Sequence, residues 1–368
     1  MKITIATGIY PPSIGGPATY SKLLFDNLPK QGIDVSVLSY DQVRHLPKGL
    51  SHLTFFLKLF SVAKRSKIVF AQDPVSVGLP TLIFCKLTGK KFFIRIAGDY
   101  AWEQSVNRFG VKDSIDDFQN KKYGFSIQLL KKIQTFVAKN SDQVITPSKY
   151  FRELVIGWGV PESKVRHIYN GIEIHKNDYN KTDSRNALNI SSEKKVIISA
   201  GRLLPWKGFK ELIEVIESLS YEFPDLILYI LGDGEQEQEL KDLVKEKGLE
   251  KSIILTGKVD REIMFKYLSA ADLFVLNTSF ESFSFQIVEA MQMALPIIST
   301  NIGNIPEIVE DGKNGFLIAP NDKIQLKAKI SLLLTDYDLA LQFGESAHER
   351  SLLFSKEKLI ENLVKILI

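Results

Sequence analysis

Residues 273–300 constrain the fold more than any other stretch of the chain, because they combine two buried strands with one helix. The apolar run Leu273–Leu276 is typical of a strand in a parallel sheet, where both faces are covered. Apolar residues then recur at helical spacing, at Ile287, Val288, Met291 and Ala294. Pro296 predicts the end of this helix, because a proline disfavours the helical conformation of the preceding residue. The order strand, loop, helix, strand predicts an α/β fold.

Two carboxylates in this stretch have positions that suit a nucleotide sugar. Glu281 lies in the loop ahead of the helix, and Glu289 lies within the helix among apolar neighbours. A buried carboxylate needs hydrogen-bond donors, which a ribose supplies. The start of the helix, near Ser282 or Ser284, has free N–H groups that attract phosphate. A sugar at Glu281, a diphosphate at the helix start and a ribose at Glu289 would span one nucleotide sugar. In the alternative interpretation, Glu289 faces solvent and Glu281 is an ordinary loop residue.

Glycines and basic residues after other predicted strands also favour phosphate binding. Gly15 and Gly16 form a glycine turn after the first strand, and Gly201 follows a strand in the second half. Arg202 and Lys207 lie in the same loop as Gly201, where they could neutralise a diphosphate and the charge that develops as it leaves. The alternatives are a plain tight turn at the two glycines and solvated basic side chains in the later loop.

Polar residues at other strand ends are candidates for the acceptor side. Ligands in open α/β sheets bind outside the carboxyl ends of the strands. Asp73 follows the third predicted strand, and Asp99, Trp102 and Glu103 follow the fourth. These four residues are therefore expected near a cleft, with Trp102 offering an aromatic surface to a sugar or acceptor. Helix capping or a loop position is the alternative for each carboxylate.

The length of 368 residues predicts two domains, because a single hydrophobic core rarely serves so long a chain. We assign residues 1–175 to an N-terminal, acceptor-side domain and residues 190–350 to a C-terminal domain that binds the nucleotide sugar. The polar residues 176–195 are interpreted as the crossing between them. The amphipathic C-terminal helix, at about residues 352–368, is expected to pack back on the first domain.

Composition excludes several classes of protein. The net charge of +4 is too small to argue for nucleic acid binding. The chain has one cysteine and no Cys/His cluster with zinc spacing, which fits a reducing, cytoplasmic environment. A G-x-G-x-x-G fingerprint is absent, which counts against an NAD enzyme. We find no signal peptide and no run of about 18 uncharged apolar residues, and therefore predict no membrane span.

Residues 50–67 form an unusually apolar predicted helix with a basic end. The favoured interpretation is a core helix packed on a sheet. The sharper hypothesis is peripheral contact with an anionic membrane, in which Phe55, Phe56 and Leu59 touch lipid. In that hypothesis the lipid head groups are bound by Lys58, Lys64 and Arg65.

The ordered motifs resemble glycosyltransferase family 4, a family of retaining enzymes with the GT-B fold, over nearly the whole chain. The motifs are Gly15-Gly16, NGIE (170–173), GRLLPWKGF (201–209), GDG (232–234), the Glu281/Glu289 pair, and IPEI (305–308) with Asp311-Gly312. The resemblance implies two Rossmann-like, doubly wound domains that face across a cleft, with the donor held mainly by the C-terminal one. It also implies that no metal or other cofactor is required.

The resemblance further implies roles for individual residues. Arg202 and Lys207 would bind the diphosphate, and Glu281 would face the donor sugar. The other implied donor-binding residues are Gly15, Gly16, Gly201, Gly232, Val259, Phe283, Ser284, Phe285 and Glu289. Many family members have a histidine after the fourth strand, where this chain has Gly98 and Asp99, so Asp99 is assigned to the catalytic position.

The expected function is transfer of a hexosyl group from a UDP- or GDP-linked sugar to a glycan or lipid-linked acceptor, in envelope polysaccharide or glycolipid synthesis. The implied location is the cytoplasm, at the inner face of the membrane. One alternative is a GT-B epimerase or phosphorylase. Another is a catalytically silent, sugar-nucleotide-binding subunit of a glycan-assembly complex.

Overall fold

The structure is a computed structural model that describes residues 1–13, 15–174 and 179–368. The chain forms two compact units: the first unit contains Met1–Asn170 and Lys356–Ile368, and the second unit contains Gly171–Ser355. Residues 171–174 thus belong to the second unit, whereas sequence analysis assigned residues 1–175 to the N-terminal domain. Residues 171–174 stay with the second unit because Ile172 forms a parallel bridge with Ser355 and donates its N–H to the Phe354 carbonyl at 2.9 Å.

The first unit is built on a six-stranded, fully parallel sheet of order β2-β1-β3-β4-β5-β6. Its strands are β1 (Lys2–Thr7), β2 (Asp34–Ser39), β3 (Ile68–Ala71), β4 (Lys91–Arg95), β5 (Gln143–Thr146) and β6 (Val165–His167). The helices between them are α1 (Gly16–Asn27), α2 (Lys48–Val62), α3 (Gly78–Thr88), α4 (Tyr100–Phe109), α5 (Ile115–Asn120), α6 (Phe125–Lys139) and α7 (Lys149–Gly157). The strand order reverses between β1 and β3, which makes their carboxyl ends the ligand-binding edge typical of such sheets.

The second unit repeats this plan with a parallel sheet of order β12-β11-β10-β7-β8-β9. Its strands are β7 (Lys195–Ala200), β8 (Leu226–Leu231), β9 (Ile253–Gly257), β10 (Leu273–Leu276), β11 (Ile297–Thr300) and β12 (Gly315–Ile318). Its helices are α8 (Lys181–Ala187), α9 (Phe209–Ser220), α10 (Glu237–Glu246), α11 (Arg261–Ala270), α12 (Phe285–Gln292), α13 (Ile305–Ile308), α14 (Lys323–Thr335) and α15 (Tyr337–Ser351). Short 3-10 helices include Pro205–Lys207 and Leu352–Phe354. The strand order reverses between β7 and β10.

The final helix, α16 (Lys356–Leu367), belongs to the first unit. It buries one apolar stripe, Leu359, Ile360, Leu363 and Leu367, against Ile3 and Ile5 of β1 and Leu24 of α1. The opposite face of the first sheet packs against α2, α3 and α6. Both faces of every central strand are therefore covered, which explains why the strands read as continuous apolar runs. The doubly wound α/β fold predicted from the sequence is confirmed in both units.

Helix α2 differs from the predicted helix at residues 50–67, because it ends at Val62. Phe55 and Leu59, which the membrane hypothesis placed against lipid, are fully buried in the core of the first unit. Their burial agrees with the core-helix interpretation. The prediction that these two side chains touch lipid is therefore wrong. No helix in the described parts of the chain is long and apolar enough to cross a membrane.

The polar stretch 176–195 also differs from its interpretation as a simple crossing. Residues 176–178 lie outside the described residues, but α8 forms from Lys181 to Ala187. Asn180 caps this helix by accepting the N–H of Asp183 at 2.8 Å. The helix is held by the buried Arg185, which donates to the Ala270 carbonyl at 2.9 Å and pairs with Asp272 at 3.0 Å. A buried arginine, rather than an apolar stripe, anchors this segment, so apolar periodicity gave no sign of it.

Candidate functional site

The loops after β7 and β10 form the candidate site of the second unit, at the point where its strand order reverses. The Trp206 carbonyl accepts hydrogen bonds from Ser279 N–H at 2.7 Å and from the Thr278 hydroxyl at 3.1 Å. Gly208 has φ of +66°, and a Cβ there would overlap the Asn277 carbonyl oxygen. The two loops are therefore in close contact, and only a glycine fits at the point of contact.

The loop after β8 joins them through Gly232, whose φ is +138°. A Cβ on Gly232 would overlap the Gly201 carbonyl oxygen, which explains why the predicted donor-binding position 232 is a glycine. The Leu203 N–H donates to the Asp233 carbonyl at 2.8 Å. Three loops at the carboxyl edge of one sheet thus share a backbone framework that fixes the residues between Gly201 and Gly208.

Lys207 and Glu281 are brought together by this framework. Lys207 Nζ donates to Glu281 Oε1 in an ion pair, and both side chains are about nine-tenths buried, with exposures of 11% and 9%. Arg202, in the same loop, is exposed, and its side chain makes no hydrogen bond or ion pair with a described residue. The site therefore contains one neutralised pair and one uncompensated positive charge.

Helix α12 begins at Phe285, four residues after Glu281, and its N-terminus lies at the same edge of the sheet. Ser284 is its N-cap, and its hydroxyl accepts the Ile287 N–H at 3.5 Å. The N–H groups of Phe285 and Gln286, in the first turn, have no acceptor among the described residues. Phe283 is nearly buried, with its ring packed 5.2 Å from Phe285 and 5.8 Å from Phe354. These ring contacts fix the entry into the helix.

Glu289 lies one turn further along α12. Burial raises the pKa of its carboxyl to about 7, although the nearby Arg261 guanidinium favours the charged form. The Arg261 contact is long, at 3.8 Å, and Glu289 accepts no hydrogen bond from a described residue. Arg261 is the first residue of α11 and follows the predicted donor-binding residue Val259 by two positions. Glu289 is thus a buried acceptor without a donor.

Arg261 is the one residue of this group that sequence analysis missed. It follows Asp260, which caps α11 by accepting the Ile263 N–H at 2.9 Å. Arg261 is half exposed and lies at the first position of its helix, where an arginine is unremarkable. Its only signal in the sequence was its distance of two residues from Val259.

In the first unit, Asp73 follows β3 at the carboxyl edge of the sheet. Its Oδ1 accepts backbone N–H groups from Val75 at 3.0 Å, Ser76 at 2.6 Å and Val77 at 3.4 Å. Burial raises its pKa, and these backbone hydrogen bonds act in the opposite direction. One carboxylate oxygen therefore organises the turn after β3, in agreement with the loop alternative for this residue.

Asp99 and Trp102 have structural partners. Asp99 is fully buried, and its Oδ1 accepts from the Trp102 N–H at 3.0 Å and from the Gln134 amide at 2.9 Å. Its Oδ2 accepts from the Gln119 amide at 2.8 Å. The Trp102 indole N–H donates to the Asp113 carbonyl at 2.9 Å. Asp99 is the N-cap of α4, and the catalytic role predicted for it would require some of these bonds to break.

Glu103 is the least constrained of the predicted acceptor-side residues. It lies in the first turn of α4, and its carboxylate accepts no hydrogen bond from a described residue. Burial raises its pKa to about 7, and the charges of Asp99 and Asp73 add to the shift. A carboxyl with a pKa near neutrality can accept or donate a proton at physiological pH. Both carboxylate oxygens of Glu103 are therefore available to a hydroxyl ligand.

Gly15 and Gly16 lie at the start of α1. Gly15 is the N-cap, with φ of +152°, and a Cβ at Gly16 would meet nothing within 4 Å. Gly16 therefore leaves open space beside the helix N-terminus, as a ligand-approach position requires.

Among the residues that the structure describes, no group of three His, Cys, Asp or Glu side chains is placed to hold a metal ion.

Comparison with known proteins gives two family matches. Residues 180–350 match the model described as glycosyl transferases group 1, and residues 14–176 match the model described as glycosyltransferase family 4. A protein named as an uncharacterized glycosyltransferase of Methanocaldococcus jannaschii is 26% identical over 365 residues, which cover 92% of this chain and 90% of that protein.

Solved structures agree in fold. Sucrose-phosphate synthase from Thermosynechococcus elongatus matches with a TM-score of 0.81 at 19% identity, covering 100% of this chain and 98% of that chain. The HepE protein of Anabaena, in complex with UDP, matches with a TM-score of 0.76 at 19% identity, covering 100% of this chain and 99% of that chain. The two doubly wound units thus have the GT-B type of fold that the sequence motifs indicated.

Proposed function

Because the chain belongs to the family 4 glycosyltransferases, we propose that it moves a hexosyl group, with retention of configuration, from a UDP- or GDP-linked sugar to a glycan or lipid-linked acceptor. The structures of Anabaena HepE with UDP and with UDP-glucose favour a uridine donor. Synthesis of an envelope polysaccharide or glycolipid is the proposed setting.

Helix α12 carries the proposal. Its first turn offers Phe285 and Gln286 N–H groups that have no acceptor among the described residues, and Glu289, four residues after Phe285, offers a buried carboxylate that accepts no hydrogen bond from a described residue. At a rise of about 1.5 Å per residue, these groups lie roughly 6 Å apart along the helix axis. A diphosphate at the N-terminus and a ribose diol at Glu289 would satisfy both ends with one ligand.

Arg202 and Lys207 supply the positive charge for the diphosphate. Arg202 is exposed and uncompensated, so it can bind an incoming phosphate directly. Lys207 is paired with Glu281 in the absence of donor. When the diphosphate binds, it would share Lys207 with Glu281, whose oxygens could then accept donor-sugar hydroxyls. These cations would make a catalytic metal unnecessary.

The proposed reaction is a front-face substitution. The bond from the anomeric carbon to the diphosphate oxygen breaks, and the acceptor hydroxyl forms the new bond from the same side. The acceptor proton passes to the departing phosphate oxygen. Arg202, Lys207 and the N-terminus of α12 would stabilise the charge on the leaving diphosphate, a contribution that raises the rate only if it is stronger in the transition state.

On the acceptor side we propose Glu103 as a hydroxyl-binding carboxylate, with Asp73 and Asp99 setting its protonation through their charges. The turn held by Asp73 and the helix cap formed by Asp99 would stabilise the backbone around it. Trp102 would support α4 rather than stack on the acceptor, because its indole N–H is engaged. Gly15 and Gly16 are proposed to leave room for the diphosphate.

The test is release of nucleoside diphosphate from UDP-glucose, with and without a polyprenyl-linked sugar acceptor and in the presence of EDTA. We expect acceptor-dependent release that EDTA does not abolish. Arg202→Ala or Lys207→Ala should each lower turnover by about a hundredfold, the loss typical of one charge-stabilising donor. Lys245→Ala, an exposed lysine on α10, is the matched control and should have normal turnover.

Near-normal turnover in both loop variants would refute the assignment of the diphosphate site. Binding of UDP-glucose without turnover, on any acceptor tried, would instead support the silent-subunit alternative. Turnover that requires inorganic phosphate as the acceptor would identify a phosphorylase.

A further inference from the structure

Helices α2, α3 and α6 cover one face of the first sheet, with α3 packed between the other two. Their inward sides bury Phe55, Phe84 and Val137 in a common core. Phe60 of α2 packs edge-on against Phe84 of α3 at 4.9 Å, which closes the seam between these helices. Their outward sides therefore form one surface, which we call the outer face of the first unit.

This outer face carries large apolar side chains that are exposed. Helix α2 presents Leu50, Leu53, Leu57 and Phe60 at a spacing of three or four residues. Helix α3 adds Ile83 and Leu87, and α6 adds Phe125, Leu129 and Phe136. Their exposures range from 44% to 83%, and three neighbouring helices share them. Scattered exposed apolar residues are common, but stripes on three adjacent helices indicate an interaction surface.

The three helices themselves carry charged side chains of one sign only. The sequences of α2, α3 and α6 contain no aspartate and no glutamate. The exposed basic residues on these helices or within three residues of their ends include the following six: Lys64, Arg65, Lys86, Lys122, Lys132 and Lys139. None of the six forms an ion pair with a described residue. An apolar surface with uncompensated basic charge has the chemistry of a protein face that binds anionic lipid.

We infer that the outer face of the first unit docks on an anionic lipid surface, with the apolar stripes entering the head-group region and the six basic side chains binding lipid phosphates. A second copy of the chain fits less well. A two-fold contact through this face would set the same basic residues against one another, and these helices offer no carboxylate to pair with them.

The surface differs from the lipid-facing residues predicted from sequence. Those included Phe55 and Leu59, which are buried, whereas the exposed stripe of α2 lies on the other side of the same helix. The inference does not depend on the proposed transferase activity, because it rests only on the exposure and charge of residues outside the candidate site. Vesicle binding and nucleotide release can therefore fail separately.

The experiment is flotation of the full-length protein with vesicles of phosphatidylcholine and phosphatidylglycerol at 3:1, and with vesicles of phosphatidylcholine alone. We expect flotation with the anionic vesicles at low salt, a loss of binding at high salt, and little binding to neutral vesicles. Since each basic residue near such a surface contributes roughly a fivefold gain in partitioning, Lys64→Glu, Lys86→Glu and Lys132→Glu together should lower it by a hundredfold or more.

Two further variants make the result specific. Leu57→Ser, Leu87→Ser and Phe125→Ser together should weaken binding while leaving the fold intact, because all three side chains are exposed. Lys30→Glu, Lys245→Glu and Lys251→Glu together make the same charge change at exposed sites off the outer face, and should leave more flotation than the outer-face charge variant.

Absence of flotation at low salt would overturn the inference. So would flotation that both outer-face variants leave unchanged. A dimer in analytical ultracentrifugation that the Leu57, Leu87 and Phe125 variant dissociates, without any vesicle binding, would show that the face joins two copies instead.

Discussion

The two carboxylates at the candidate donor site have opposite surroundings. Glu281 is neutralised by Lys207, whereas Glu289 is buried without a hydrogen-bond donor and has a pKa raised to about 7 by that burial. Their spacing is visible in the sequence, and it led to the prediction of a nucleotide-sugar site. The difference in their environments is not visible, because it depends on Lys207 lying 74 residues away from Glu281.

The raised pKa of Glu289 predicts that donor affinity depends on pH. Ribose hydroxyls donate to a carboxylate, so the donor should prefer the ionised form. With a pKa of about 7, about one tenth of the carboxyl is ionised at pH 6 and about nine tenths at pH 8, so affinity for UDP-glucose should rise about tenfold over this range. Isothermal titration calorimetry measures it directly.

UDP-glucose is the suitable ligand, because its diphosphate is doubly esterified and does not titrate between these pH values. Glu289→Gln should bind more weakly at pH 8 and lose the pH dependence. A variant that keeps the full tenfold change would assign the titration to another group.

Asp99 shows why some residue roles could not be predicted from the sequence. Its position after β4 suggested a catalytic carboxylate, and the capping alternative was stated for it as for its neighbours. Its hydrogen-bond partners, Gln119 and Gln134, are 20 and 35 residues away and lie on or beside other helices. Only the tertiary structure brings these two amide donors to the carboxylate, beside the local cap bond from the Trp102 N–H.

Asp99→Ala should therefore destabilise the protein, by about 2–4 kcal/mol, because it leaves buried amide donors without an acceptor. Asp99→Asn keeps the size and one acceptor oxygen and should cost less. Urea denaturation measures both. A loss of turnover in Asp99→Ala with unchanged stability would favour the direct catalytic role.

Among the elements, those with a strong apolar pattern were predicted well. The strand predicted from the apolar run Leu273–Leu276 is β10, with the same bounds. Helix ends and polar helices were less accessible, because α2 ends without a stop signal at Val62 and α8 depends on the buried Arg185. Local pattern determines an element when its own apolar face holds it in place, and fails when a distant partner does.

Gly208 lies where the loop after β7 contacts the loop after β10. We expect its replacement to lower stability through this contact. Gly208→Ala must adopt a positive φ and also displace the Asn277 carbonyl, so we expect a stability loss of roughly 3 kcal/mol or more and weaker donor binding. Gly248→Ala is the matched control, because Gly248 has φ of +64° with nothing within 4 Å of its Cβ.

The control should cost only the backbone strain, about 1 kcal/mol. Denaturation curves of the two variants, with and without UDP-glucose, separate the effects. Equal losses in both would show that the contact between the loops after β7 and β10 is not tight in solution.

For the whole molecule, the alternation of strands and helices was sufficient to predict two doubly wound units, because a parallel sheet with helices on both faces is what such a pattern can bury. The course of the chain is less simple. It leaves the first unit after Asn170 and returns to it at Lys356, so the last 13 residues complete a core that begins with β1. The stability of the first unit should therefore depend on the C-terminus.

Leu363→Ala tests this dependence. Leu363 is fully buried beside Ile3, Ile5 and Leu24, so its truncation should cost about 2–5 kcal/mol. Leu87→Ala, the same change at a side chain of the first unit that is 69% exposed, should cost less than about 0.5 kcal/mol. Hydrogen exchange should locate the loss of protection in β1 and α1 and leave β7 and β8 protected. Uniform loss across both sheets would mean that the two units unfold as one, and no loss in β1 would mean that α16 does not complete this core.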